Sequence, residues 1–223
     1  MRVALTHRIV RRFPRRVELP THWLRLRPAP HARARVTAYA LRVRTEPHFL
    51  NWLRDPFENH LARLDLPEPV TSLDVEVALV AELESVNPFE FLVEPGASSH
   101  PFAYEPQLAK ELAPYLQPAD PGPRLAQWLA GLARAPRYVV ERVDEVTRAI
   151  AAEIRCEDVG RTGIDLEAAL TRQTGSSREL AWLLTVSLRA LGLAARFTSG
   201  YRFVAGDATA DARLHAWSEV HEG

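Results

Sequence analysis

The chain has one cysteine, Cys156, one lysine, Lys110, and ten glycines among its 223 residues. A lone cysteine excludes an intrachain disulfide. The eight histidines are dispersed, and neither HExxH nor CxxC occurs, so no metal-ligand spacing is present. There is no run of eighteen apolar residues, so no transmembrane helix is expected. The basic start "MRVALTHRIVRRFPRR" lacks a long apolar segment and a small-residue cleavage site. It does not read as a signal peptide, and a cytoplasmic chain is the expectation.

What is present is 47% hydrophobic residues, enough for one large domain or two small ones. Arginine supplies all the basic residues except Lys110, which reads as a coding bias and not as a mechanism. Formal net charge is zero but unevenly spread: residues 1–44 carry twelve arginines against Glu18 alone. These arginines alternate with apolar residues, as in "HWLRLRP" and "ALRVRT". That is the pattern of solvated strand faces, with the acidic remainder of the chain as partner. No aromatic-basic RNA motif or recognition helix accompanies them, so no nucleic-acid partner and no membrane contact is expected.

The first part reads as β structure. "ALTHRIVRRF", "HWLRLRP", "RVTAYALRVRT", "NHLARLDL" and "TSLDVEVALVAELES" are extended candidates punctuated by prolines. In the last, Leu73, Val75, Val77 and Leu79 alternate with Asp74, Glu76 and Ala78, one face buried and one wet. A Pro-rich connector with Phe89, Phe91, Phe102 and Tyr104 follows. Helices then take over in "PQLAKELAPYL", "PRLAQWLAGLAR" and "RYVVERVDEVTRAIAAEIR", the last with Val139, Val143, Val146, Ile150 and Ile154 on one face. Two strand-like runs close the chain. The order predicts an α+β protein: an antiparallel β-sandwich-like domain over 1–90, a connector over 91–105, and an α+β core over 106–223.

"TGSSRELAWLLTVSLRALG" predicts a central helix. Leu180, Leu183, Leu184, Leu188 and Leu191 form a wide apolar face, and Gly192 suits the terminating position. Ser176-x-x-Glu179 has the capping-box spacing. Ser177 then falls on the first helical residue, in the field of unpaired backbone N–H groups. A shift of one residue would make Ser177 the cap itself. A thiol in that field gains thiolate character. An alcohol starts too high and needs a strong, oriented base. His215 in "RLHAWSEV" is the one candidate base, on a strand two elements later.

The series "GSSRELAWLLTVSLRALGLAARFTSGY…LHAWSEV" resembles the core of bacterial transglutaminase-like proteins, members of the papain-like cysteine peptidase superfamily. The front half, through "HWLRLRPAPH" and "EPHFLNWLRDPFENHLARLDLPEP", resembles the β-rich domain that precedes this core in bacterial members. The resemblance implies acyl transfer on a peptide or protein amide, with no metal or organic cofactor. A cysteine at the Ser177 position attacks a carbonyl, the histidine at His215 takes the proton, and an Asp on the next strand orients the imidazole.

Three departures stand out. Ser177 occupies the cysteine position, and Cys156 lies twenty-one residues upstream at the end of a different helical segment. The Asp-Pro strand of the family would follow His215, but the sequence ends at Gly223; Asp207 and Asp211 precede His215 in a loop and do not match the orienter. An incomplete core would leave an open sheet edge and the expectation of self-association through it. Arg213 places a cation two residues before the histidine, opposing imidazolium formation. The expectation is a catalytically inactive transglutaminase-like protein. The alternatives are an altered or shortened cysteine-type amide hydrolase or acyltransferase, and a serine hydrolase using Ser177 and His215.

Overall fold

A computed structural model describes residues 1–84, 93–157, 163–204 and 211–221, without the side chains of 203–204 and 211–213. The chain separates into two compact units, Met1–Glu90 and Phe91–Gly223.

The first unit contains β1 (Arg2–Val17), β2 (His22–Leu24), β3 (Arg35–Val43), β4 (Phe49–Arg54), β5 (His60–Asp65) and β6 (Val70–Glu82). They form two antiparallel three-stranded sheets, ordered β1-β6-β3 and β2-β5-β4. The alternation in β6 sets the architecture: Leu73, Val75, Val77, Leu79 and Ala81 are buried. Val43, Leu64, Leu73 and Val75, with Phe13, Leu24 and Leu50 packed on them, join the two sheets in a sandwich core. On the outer face of β6, Asp74 accepts hydrogen bonds from Arg8, and Glu76 from Arg42 and Arg44. The arginine-rich strands therefore find their anions within the same unit, on the strand they flank.

Two details differ from the sequence reading. "HWLRLRP" contributes only three residues to the ladder, because Pro28 and Pro30 follow closely, although Leu26 still packs into the core. β4 was not among the expected strands; its adjacent Trp52 and Leu53 break the period-two signal. The pairing of β1 with β6 slips between Arg12 and Val17, where Pro14 has no N–H to donate.

The second unit holds β7 (Ser99–His100), α1 (Pro106–Glu111), α2 (Ala113–Leu116), α3 (Pro123–Gly131), β8 (Arg137–Tyr138) and α4 (Val139–Glu153). It continues with β9 (Arg155–Cys156), α5 (Leu166–Arg172), β10 (Thr174–Gly175), α6 (Ser177–Ala190), β11 (Ala194–Val204) and β12 (Asp211–His221). The expected single helix "PQLAKELAPYL" is split at Leu112, since Pro114 stands in the first turn of α2. Phe89 and Phe91 of the expected connector lie outside the described residues.

α6 is the centre of this unit. Leu183, Val186 and Leu191 pack with Leu125 of α3, Val146 and Ile150 of α4, and Leu166 of α5. Leu188 packs with Leu193, Ala195 and Val220 at the β11–β12 ribbon. Each fully buried leucine contributes about 1.5–3 kcal/mol. Polar contacts fix the helix between these layers. The Thr185 hydroxyl, which donates to the Ala181 carbonyl at 2.8 Å, accepts from the Ser218 hydroxyl of β12 at 3.1 Å, and Trp128 Nε1 donates to Ser187 at 2.9 Å. His100 Nε2 bonds the Leu191 carbonyl at the far end of α6, at 2.8 Å. Glu167 of α5 caps α3 by accepting from the Arg124 and Leu125 N–H groups. Gly122 leaves room for that carboxylate, since a Cβ there would stand 2.6 Å from Glu167 Cδ.

Candidate functional site

The head of α6 is built from Gly175, Ser176, Ser177 and Glu179. Ser176 is the N-cap, so Ser177 is the first helical residue. Ser176 Oγ accepts from the Glu179 N–H at 3.3 Å, and Glu179 Oε2 accepts from the Ser176 N–H at 2.8 Å. The capping box of the sequence reading is thus formed in its unshifted register. Both serines are 7% exposed and Glu179 is 2% exposed. The Glu179 carboxylate also accepts from Ser176 Oγ at 3.0 Å and from the Asp165 N–H at 3.4 Å. Arg172 approaches it to 3.8 Å. A buried anion with these partners is a fixed part of the helix head, a role the sequence showed only as a cap.

Gly175 gives the Leu180 side chain its room. A Cβ would meet Leu180 Cδ1 at 2.8 Å, with Glu179 and Ala169 close behind. Gly175 also pairs in parallel with Cys156, and Thr174 with Arg155. The Glu157 N–H donates to the Gly175 carbonyl at 2.8 Å. This corrects the sequence reading of Cys156. The residue does not end a helix remote from the site; α4 ends at Glu153, and β9 carries the exposed thiol alongside the strand that leads into α6. Two-residue strands leave no periodic signal, so spacing alone could not show this.

The ribbon of β11 and β12 packs directly on α6. Ala216 is buried, Ser218 hydrogen-bonds the Thr185 hydroxyl, and Val220 packs against Leu188. Phe197 of β11, the cross-strand partner of Ser218, meets Trp182 of α6 edge-on with ring centroids 6.2 Å apart. The even-numbered row of β12 therefore faces α6.

His215 stands in the odd-numbered row. Its neighbours on that face are Trp217, 38% exposed, and Glu219, which accepts from Arg196 Nε at 2.7 Å. Its cross-strand partner is Gly200, over which the Trp217 ring lies; a Cβ on Gly200 would fall 2.8 Å from Trp217 Cη2. Alternation thus puts His215 in the row opposite the one that meets α6 at Thr185 and Leu188. Among the described residues no hydrogen bond joins Ser177 and His215. The sequence placed the strand beside the helix; which face the imidazole takes depends on the register with β11.

His215 lies within β12, not at its start, and Asp211 begins that strand and does not lie in a loop. The side chains of Asp211 and Arg213, and all of Asp207, are outside the described residues. Tyr201, opposite Leu214, belongs to the α6-facing row. Burial pushes its phenol up to about 12, so it stays protonated throughout the physiological range. Among the described residues no group of three metal-ligating side chains occurs, and no helix is long and apolar enough to cross a membrane.

The model of the bacterial transglutaminase-like N-terminal region matches residues 3–82, and that of the transglutaminase-like superfamily matches residues 124–221. Among solved structures, a candidate cysteine protease from Cytophaga hutchinsonii is similar to this chain. The TM-score is 0.70 at 17% identity, over 100% of this chain and 73% of that one. At that identity the likeness is one of fold. No curated protein matches.

Proposed function

We propose, for a chain that belongs to the bacterial transglutaminase-like family, that this protein is a non-catalytic member. In this reading it holds a peptide or protein segment at the head of α6 without cleaving it or transferring its acyl group. The observation that carries the reading is the arrangement of Ser177 and His215. Ser177 brings an alcohol to the first turn of α6, and His215 stands in the row of β12 that faces away from that helix.

An alcohol at a helix head is not made nucleophilic by the helix field alone. That field is worth about 0.3–1 kcal/mol, up to about 2 in favourable geometry, against a serine pKa far above neutrality. A base within hydrogen-bond reach is required. Cys156 supplies a thiol near the helix head but from β9, not from the helix whose N–H groups would hold an oxyanion.

A fluorophosphonate probe and a glutamine-peptide ammonia-release assay test the reading. The expected result is no adduct at Ser177 and no ammonia above the uncatalysed rate, under conditions where a control enzyme reacts. Labelling of Ser177, or turnover abolished by Ser177→Ala, would sink it.

A further inference from the structure

We infer that the outer edge of β1 around "RRFPRR", residues 11–16, docks an extended acidic segment of another protein, which adds to the sheet as a strand. The inference concerns the first unit alone and is independent of the head of α6.

Three observations meet on this strand. First, β1 is the outer strand of its sheet, ordered β1-β6-β3. Among the described residues no strand lies on its other side, so backbone N–H and C=O groups along that edge are open to pairing. Second, the pairing with β6 slips between Arg12 and Val17, around Pro14. Such a bulge bends an edge strand and re-aims its side chains. Third, the charges are unmatched there. Arg8 is held by Asp74, but Arg16 approaches Glu68 only to 3.8 Å, with both side chains mostly exposed. Arg11, Arg12 and Arg15 are exposed and have no ion pair, hydrogen-bonded side chain or ring contact among the described residues.

These charges decide which strand can add. A second copy of β1 would set arginine against arginine, and like charges directly opposite one another are destabilising. An apolar strand would leave the guanidinium groups unmatched. A strand of glutamates or aspartates meets each guanidinium with a carboxylate, through two parallel N–H···O bonds. Arg11 stands opposite Leu73 and Arg12 opposite Ser72, so the two belong to opposite faces of the sheet. The matching segment therefore carries consecutive acids and not alternating ones. A nucleic acid or an anionic membrane would supply charge, but neither can continue the ladder of backbone hydrogen bonds.

The test is an NMR titration of the full chain with acetyl-Glu-Glu-Val-Glu-Glu-Val-Glu-Glu-amide. Its controls are the counterpart with Gln for every Glu, and the acidic peptide N-methylated at both valines. The valines differ in parity, so either edge of the methylated peptide loses a donor. The acidic peptide should shift the amide resonances of residues 8–16 saturably, about tenfold more tightly than the Gln peptide. N-methylation should weaken it several-fold, and so should raising the salt to about 0.3 M. The triple variant Arg11→Gln, Arg12→Gln, Arg15→Gln, with circular dichroism verifying the fold, should bind about tenfold more weakly. Equal binding of the acidic and Gln peptides, undiminished binding of the methylated peptide or by the triple variant, or no shift at all would overturn the proposal. Tighter binding of oligothymidylate or of phosphatidylserine vesicles would overturn it too, by assigning these arginines to a phosphate-bearing partner.

Discussion

Cys156 on β9 is the cross-strand partner of Gly175 on β10, two residues before Ser177. The protein's only thiol is thus a strand away from the position where a thiol would matter. Its environment differs from that position in two respects: Cys156 is exposed where Ser177 is buried, and β9 gives it no helix N-terminus. A Ser177→Cys protein would hold both thiols. Residue 177 should alkylate with iodoacetamide at lower pH than Cys156, because unpaired N–H groups favour thiolate at a helix head. Peptide mapping across a pH series separates the two. Coincident pH profiles would show that the helix field does not act on residue 177.

Glu179 is the second test of that helix head. Replacing it by alanine removes the acceptor of two Ser176 donors and of the Asp165 N–H. Each buried donor left unmet costs about 1–3 kcal/mol, and loss of the cap adds to this. The transition of the second unit in urea should shift by about 3 kcal/mol. Glu179→Gln, which keeps one acceptor, should lose less. Equal losses would mean that the packing of the side chain, not its hydrogen bonding, stabilises the turn.

The legible parts of the fold were those with long periods. The alternation of Leu73, Val75, Val77 and Leu79 fixed the buried face of β6, and the leucine spacing from 180 to 191 marked α6 with both its ends. The same residues could not reveal β9 and β10, whose two-residue pairing brings Cys156 to Gly175. They also could not reveal Arg142, buried on α4 and held by Glu145 and the Ala135 carbonyl. For the candidates Ser177 and His215, spacing placed each on an element but did not show its side. Side in a ribbon is set by pairing: His215 lies opposite Gly200, and a slip of one residue would turn it toward α6.

Acid should weaken the first unit through Asp74 and Glu76. The Arg8 hydrogen bond holds the Asp74 carboxyl below its ordinary range, and Arg44 does the same for Glu76. A depressed folded-state pKa means a contribution fully present above the unfolded value. It is lost as pH falls through the folded one. Asp74→Asn should therefore be less stable than wild type at pH 7, with the gap closing progressively below about pH 4. Urea unfolding at several pH values measures it. A gap that is constant down to pH 2 would mean that charge pairing with Arg8 is not its source.

Tyr104 ties the ends of the ribbon together. Its hydroxyl donates to the His221 carbonyl at 2.6 Å and accepts from the Ala194 N–H at 2.8 Å. Its ring stacks edge-on with Phe102, centroids 4.9 Å apart. Tyr104→Phe removes the oxygen and keeps the ring, so packing is conserved while two bonds disappear. Ala194 is 2% exposed, so its N–H has no water to turn to. The cost should be about 1–3 kcal/mol. Hydrogen exchange locates it: the Ala194 amide should exchange faster in Tyr104→Phe, while the amides of α6 near Leu183 should change little. Uniform acceleration across the second unit would mean that the clamp sets global stability. No acceleration at Ala194 would mean that the ribbon ends hold without it. The distinction bears on His215, because its face is decided by the β11–β12 register that this clamp fixes at one end.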